Sequence, residues 1–245
     1  MGKGQRLDKF LAHMGFGTRR EVKTLLRQRR VVLNGQRVTA GELKIDPERD
    51  QVKVDDRNVK YQEFYYLMLN KPAGYLSATK DRFAPTVLDL IPADLRVRDL
   101  SPVGRLDKDT EGLLLLTNDG PLAHRLLAPN SRVPKTYFLR VDGKVTPAEQ
   151  AVLAAGVLLD DGYRTLPAEV HILTSGEVSE LLLTIYEGKF HQVKRMLHAV
   201  GKEVIYLQRR SMGNLTLDPG LASGECRPLT EEEIKCLKAW TRPVR

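Results

Sequence analysis

The sequence predicts an α+β protein in two parts. A small N-terminal α/β domain is expected over residues 1–58. A larger domain over residues 59–245 is expected to carry a mainly antiparallel mixed sheet flanked by helices. Three observations lead there. Strand-period and helix-period segments alternate irregularly, without the steady rhythm of a doubly wound parallel sheet. The formal charge of +8 belongs to residues 1–38, where three Lys and seven Arg face only Asp8 and Glu21, and the rest of the chain is neutral in sum. The polar run at 55–64 (DDRNVKYQEF) reads as a linker between the parts. A length of 245 residues suits a small domain joined to a larger one.

The elements follow in order. In RLDKFLAHM, residues 6–14, Leu7, Phe10, Leu11 and Met14 recur at the spacing of one helical face, and Gly15-Phe16-Gly17 breaks the pattern. Thr18 and Glu21 form a capping-box pair that opens a second helix through about Arg29, with Val22, Leu25 and Leu26 turned inward. Val31-Val32-Leu33, Asn34-Gly35 and Arg37-Val38 read as a hairpin with a type I′ turn, and 51–54 as a further strand. Beyond the linker, strands are expected at 65–69, 113–117, 136–141, 178–185 and 203–207. Helices are expected at 86–91, from Gly120-Pro121 through Leu127, and at 147–155, 191–200 and 230–240, the last capped by Thr230 and Glu233.

Composition excludes several classes. Hydrophobic residues at 42% and charged residues at 29% fit a globular chain with a core and not general disorder. The longest aliphatic run, 113–116, is far below the roughly 20 residues a bilayer needs. The start MGKGQR has no signal-peptide core, and Cys226 and Cys236 make neither a zinc spacing nor a disulfide framework, so a cytoplasmic protein is expected. Phosphate-binding, dinucleotide and nucleophile-elbow motifs are missing, and the five His do not cluster at ligand spacing. No metal and no cofactor is expected.

A folded basic segment is the electrostatic footprint of a polyanion-binding module; the competing reading is a solvated charged face. The two expected helices place Arg19, Arg20, Lys23 and Arg27 mostly off the apolar stripe, where RNA phosphates bind without base specificity. RLDKFLA, Thr18-Arg19-Arg20-Glu21 and Val32-Leu33-Asn34-Gly35 together resemble the small RNA-binding domain named after ribosomal protein S four, over about residues 4–55. Arg29-Arg30 stand where many relatives have a glycine. Arg6 and Lys9 join the candidate RNA contacts.

GRLDKDTEGLLLLTNDG, residues 104–120, carries the densest chemistry. Asp107, Asp109, Glu111 and Gly112 mimic the first half of a calcium loop, but Asn118 stands at the twelfth position and an apolar strand intervenes. Spacing alone leaves open a paired-carboxylate glycosidase, or a charged loop before a buried strand. The segment also resembles the catalytic motif of the pseudouridine synthases, in the branch named for ribosomal small-subunit pseudouridine synthase A. Leu69-Asn70-Lys71-Pro72-Ala73-Gly74, Pro134-Lys135-Thr136-Tyr137 and the run from Glu187 to Met196 (EGKFHQVKRM) resemble three further motifs, in the family's order.

The resemblance implies isomerisation of a uridine already in RNA, whose base leaves carbon 1 of the ribose and rejoins through its carbon 5. Asp107 is then the catalytic carboxylate, as nucleophile or as base. Lys194 matches the cation that holds it ionised in a dry pocket, with Lys189 and Arg195 as rivals whose alternative role is phosphate contact. Tyr137 stacks on the uracil, or else fills the core. Arg105 enters the space left by the flipped base. Lys71 and Pro72 shape the pocket floor. The implied partner is ribosomal RNA, free or within an assembling small subunit, with 16S rRNA ahead of 23S rRNA, and the default state is a monomer. A non-catalytic RNA-binding assembly factor is the remaining alternative.

Overall fold

The computed structural model describes residues 4–59, 61–97 and 99–240. Lys3 of the basic segment and Lys60 of the expected linker lie outside them. The chain divides into two compact units. One comprises the described residues up to Tyr65 together with Ile91–Leu100, and the other Tyr66–Leu90 together with the described residues from Ser101 onward.

The first unit opens with β1 (Gln5–Arg6), α1 (Leu7–His13) and α2 (Arg19–Arg27). Both halves of the expected capping box form: Thr18 Oγ1 accepts from Glu21 N, and Glu21 Oε2 accepts from Thr18 N. Next come β2 (Val31–Leu33), β3 (Gln36–Arg37), β4 (Lys44–Ile45), β5 (Val52–Val54) and β6 (Arg57–Val59). Asn34 and Gly35 both take positive φ, as a type I′ hairpin requires. Strands β3-β2-β5-β6 form one antiparallel sheet, while β1 pairs β4. Leu7, Phe10, Leu11, Val22, Leu26, Val31, Ile45, Val52 and Val54 fill the core.

The expected linker is corrected here. Its first half is a hairpin: Asp55 and Asp56 both adopt left-handed φ and turn β5 into β6, and Arg30 clamps Asp55 through Nε at 2.7 Å. Arg29 ends α2 at φ 57°, which explains why a glycine suits this position.

The second unit contains β7 (Tyr66–Lys71), a 3-10 turn at Val87–Leu90, β8 (Ser101–Pro102), β9 (Glu111–Thr117), α3 (Gly120–Leu127), a second 3-10 turn at Pro129–Ser131, β10 (Lys135–Asp142), α4 (Pro147–Ala155), β11 (Glu169–Thr174), β12 (Val178–Ile185), α5 (Gln192–Ala199), β13 (Val204–Met212), β14 (Leu215–Thr216), β15 (Cys226–Pro228) and α6 (Glu231–Trp240). The sheet runs β11-β12-β10-β13-β9-β7-β15, with β14 on β13 and β8 on β9. Every pairing is antiparallel except β13 with β9. This is the mainly antiparallel mixed sheet expected. β7 is buried along its whole length and β9 from Gly112 to Thr117, so both faces of these strands are covered. β10 and β12 alternate buried and half-exposed residues, so one face of each looks into the core.

β13 extends well past the expected end at residue 207 and carries Arg209 into the interior, 2% exposed. Glycine is obligatory at residue 112, where β9 meets β13. Its φ is 95°, and a Cβ there would lie 2.3 Å from Arg209 O.

Candidate active site

The Asp107 loop, residues 103–110, joins β8 to β9 and is held from below by two buried side chains. Lys71, at the end of β7, is fully buried, and its ammonium donates to the carbonyls of Pro72, Asp107, Lys108 and Thr110 at 2.8–3.2 Å. Burial lowers its pKa to about 8, against the pull of Asp109, Glu111 and Asp107. The Ser77 hydroxyl donates to Leu106 O at 2.8 Å and accepts from Leu106 N at 3.0 Å, pinning the residue before Asp107.

Above the loop opens a cavity of about 300 Å³. Arg105, Asp107, Tyr137, Lys189 and Lys194 all line it, so five expected site residues from three distant segments meet. Arg105 is exposed and Tyr137 buried on β10. Antiparallel pairing sets Tyr137 opposite Arg209 of β13, beside an irregularity between Thr136 and Tyr137; such breaks in register commonly re-aim side chains near functional sites. Lys189 places its Nζ 4.3 Å from the centre of the Tyr163 ring on the same wall.

The expected pairing of Lys194 with Asp107 is not what the structure holds. Lys194 Nζ donates to both oxygens of Asp109, at 2.7 and 2.6 Å, and this hydrogen-bonded ion pair lowers the Asp109 pKa. The group that reaches Asp107 is His191, whose Nε2 lies 3.5 Å from Oδ1. His191, the N-cap of α5, and Lys194, three residues on, thus meet Asp107 and Asp109 of the loop in two rungs. His191 forms the N-cap in the left-handed region at φ 48°, and its ring stacks on Phe190 at 3.8 Å. A β-carbon residue held there is a strained position of the kind that clusters at functional sites.

Arg195 is not free for phosphate. Its guanidinium is clamped between Asp160 and Asp161. In the N-terminal unit, Arg6 and Arg19 are likewise committed: both bond the buried Asp8 carboxylate, Arg6 at 2.9 and 3.1 Å and Arg19 at 3.1 Å, each with about half its side chain still exposed. Those bonds hold the Asp8 pKa at about 2. Lys9, Arg20, Lys23 and Arg27 are exposed and make no ion pair among the described residues. They are the open part of the basic face.

Sequence reasoning missed Ser77, His191 and Arg209. His191 lies within a quoted motif but without a role, and Arg209 reads as the polar end of a strand.

The Asp107 carboxylate shares a cavity with a buried tyrosine and several cations, in a chain that also carries a small basic α/β domain, a combination suited to an enzyme acting on RNA. The family model described as RNA pseudouridylate synthase matches residues 65–199, and that of the S4 domain matches residues 5–52. The chain belongs to the RNA pseudouridine synthase family, with an S4 domain at its N-terminal side. It is 49% identical to the RNA pseudouridine synthase YtzG of Bacillus subtilis, over 95% of this chain and 98% of that one. It is 41% identical to ribosomal small subunit pseudouridine synthase A of Escherichia coli K12, over 94% and 98%. To ribosomal large subunit pseudouridine synthase B of Bacillus subtilis it is 39% identical, over 96% of each. A crystal structure of a pseudouridylate synthase superposes with a TM-score of 0.66 at 38% identity, covering 95% of this chain and 99% of that one.

Proposed function

We propose that this chain isomerises one uridine of 16S ribosomal RNA to pseudouridine, as a cytoplasmic monomer acting on RNA that is free or within an assembling small subunit. Residues 1–58 capture the RNA and residues 59–245 perform the chemistry. The observation that carries the reading is the Asp107 carboxylate in one cavity with Tyr137, in a chain of this family.

Asp107 acts at the sugar as nucleophile or base. Tyr137 stacks on the flipped uracil, and Arg105, exposed at the cavity, occupies the space the base vacates. Lys194 is a positioning residue: bound to Asp109, it sets the loop and adds positive field to the site, while His191 reaches Asp107 directly. Lys9, Arg20, Lys23, Arg27 and Lys189 contact the RNA backbone. Nothing in this scheme requires a cofactor, because the reaction is an isomerisation.

The small-subunit target is supported by relatives named for it in Escherichia coli and Yersinia pestis. A second reading, a 23S target, is supported by the Bacillus subtilis large-subunit relative. Carbodiimide-dependent primer extension on ribosomal RNA from wild-type and deletion cells separates them. One 16S stop disappears on deletion and returns with the wild-type chain but not with Asp107→Asn. Loss of a 23S stop instead establishes the second reading. Loss of no stop, or full rescue by Asp107→Asn, overturns both.

A further inference from the structure

Two buried polar groups on residues that line the cavity are left unused by the roles above. Arg209 Nε donates to Leu113 O at 2.8 Å, but its Nη2 is buried with no hydrogen-bond partner among the described residues. Thr110 Oγ1 is in the same condition. Both residues are 2% exposed, and both line the cavity with Asp107 and Tyr137. Withdrawing one donor of a guanidinium from water without an acceptor is costly. On a cavity wall, such a donor marks where a ligand's acceptor belongs.

The surroundings sharpen the chemistry of that ligand. Lys135 sits on the same wall and bonds Val133 O at 3.0 Å; burial, with Arg209 nearby, lowers its pKa to about 8. The adjacent carboxylate, Glu187, is taken by Tyr163, Leu166 N and Gln192. The wall carries two cations, Arg209 and Lys135, against one carboxylate, Glu187, so it is positive in sum. It suits an acceptor that gains negative charge.

We propose that Arg209 is a catalytic residue: its Nη2 donates to a carbonyl oxygen of the flipped uracil, and this bond strengthens as the base leaves the sugar. The inference rests on the assignment of Asp107 and Tyr137 above. When the bond between carbon 1 of the ribose and uracil N1 breaks, its electron pair passes to the base, which becomes an anion with charge shared among N1, O2 and O4. A fixed guanidinium stabilises that anion more than the neutral base, which is how a preorganised donor lowers a barrier. The base then bonds carbon 1 through its C5. The C5 proton is lost and N1 takes one up, so the product is an isomer.

The test uses the full chain and the ribosomal RNA segment it modifies, with uridine, 2-thiouridine or 4-thiouridine at the target. Sulfur accepts an N–H bond much more weakly than oxygen. Single-turnover rates are measured for the wild type and Arg209→Met, with RNA affinity alongside. Arg209→Met slows the uridine reaction about a hundredfold at unchanged RNA affinity. One of the two sulfur substitutions slows the wild type about tenfold and leaves the variant within twofold of its own uridine rate. Equal slowing of both enzymes by each sulfur overturns the proposal, since a purely structural arginine shows no coupling to one base atom. Should Arg209→Met not fold, absence of any sulfur effect on the wild type overturns it equally, and Arg209→Lys takes its place in the cycle. Conversion of the unmodified RNA by the wild type, lost in Asp107→Asn, keeps the Asp107 assignment whatever the sulfur arms show.

Discussion

Replacing Lys71 by Met removes the ammonium that gathers the Asp107 loop while nearly keeping the side-chain volume. Four carbonyls lose a charged donor: those of Pro72, Asp107, Lys108 and Thr110. The ammonium shares three N–H donors among the four carbonyls, and at about 1.5–3 kcal/mol per bond to a charged group they supply about 6 kcal/mol together. Against this stands the cost of burying the charge. A pKa lowered from 10.5 to about 8 corresponds to about 3 kcal/mol, which the variant regains. The net loss is about 3 kcal/mol, or a fall in melting temperature of about 6–12 °C for a unit of this size. Thermal denaturation followed by circular dichroism measures it, and single-turnover pseudouridine formation reports the loosened loop. A variant that melts within 2 °C of the wild type, as estimated on the same scale, would refute the view that Lys71 holds the loop.

Asp8→Asn removes the carboxylate shared by Arg6 and Arg19 and destabilises the N-terminal unit by about 1–2 kcal/mol at pH 7, after discounting for the half-exposed arginines. Because the Asp8 pKa is depressed to about 2, its contribution is present above the ordinary carboxylate range and is lost as pH falls from about 4 to 2; urea unfolding at pH 7 and pH 2 shows the wild type losing this increment and the variant not. Gly112→Ala puts a methyl group against the β13 backbone in a left-handed residue and costs more than about 2 kcal/mol; a wild-type melting curve for this variant would refute the packing argument. Arg20→Ala weakens RNA binding and lowers the salt slope by about one, whereas Arg195→Ala, whose guanidinium is held by Asp160 and Asp161, leaves the slope unchanged. Filter binding from low to moderate salt separates the two arginines.

Much of the architecture was legible because the signals are local. Both halves of the Thr18–Glu21 cap, the Asn34-Gly35 turn and the Thr230–Glu233 cap each need only a few neighbouring residues to form. The β5–β6 hairpin was missed for the same kind of reason: Asp55-Asp56 occupies left-handed backbone without a glycine to announce it. β11 was missed because its exposed edge offers only two inward apolar positions, Val170 and Ile172, around which polar residues dominate.

The sequence by itself determined the helices and the longer strands of the core, the basic character of residues 1–38 and the loop that presents Asp107, since period, charge and turn chemistry all act within a few residues. Which charges meet was decided only by the tertiary structure. Lys194 faces Asp109 and His191 faces Asp107 because the start of α5 sets the rotation of that helix against the loop. Arg6 and Arg19 close on Asp8, and Arg195 on two aspartates, because partners distant in the chain lie within reach once it folds. Arg209 is the clearest case. Nothing in its neighbourhood of Gln208 and Arg210 marks it as buried, and only the parallel pairing of β13 with β9 carries its charge to the wall of the cavity.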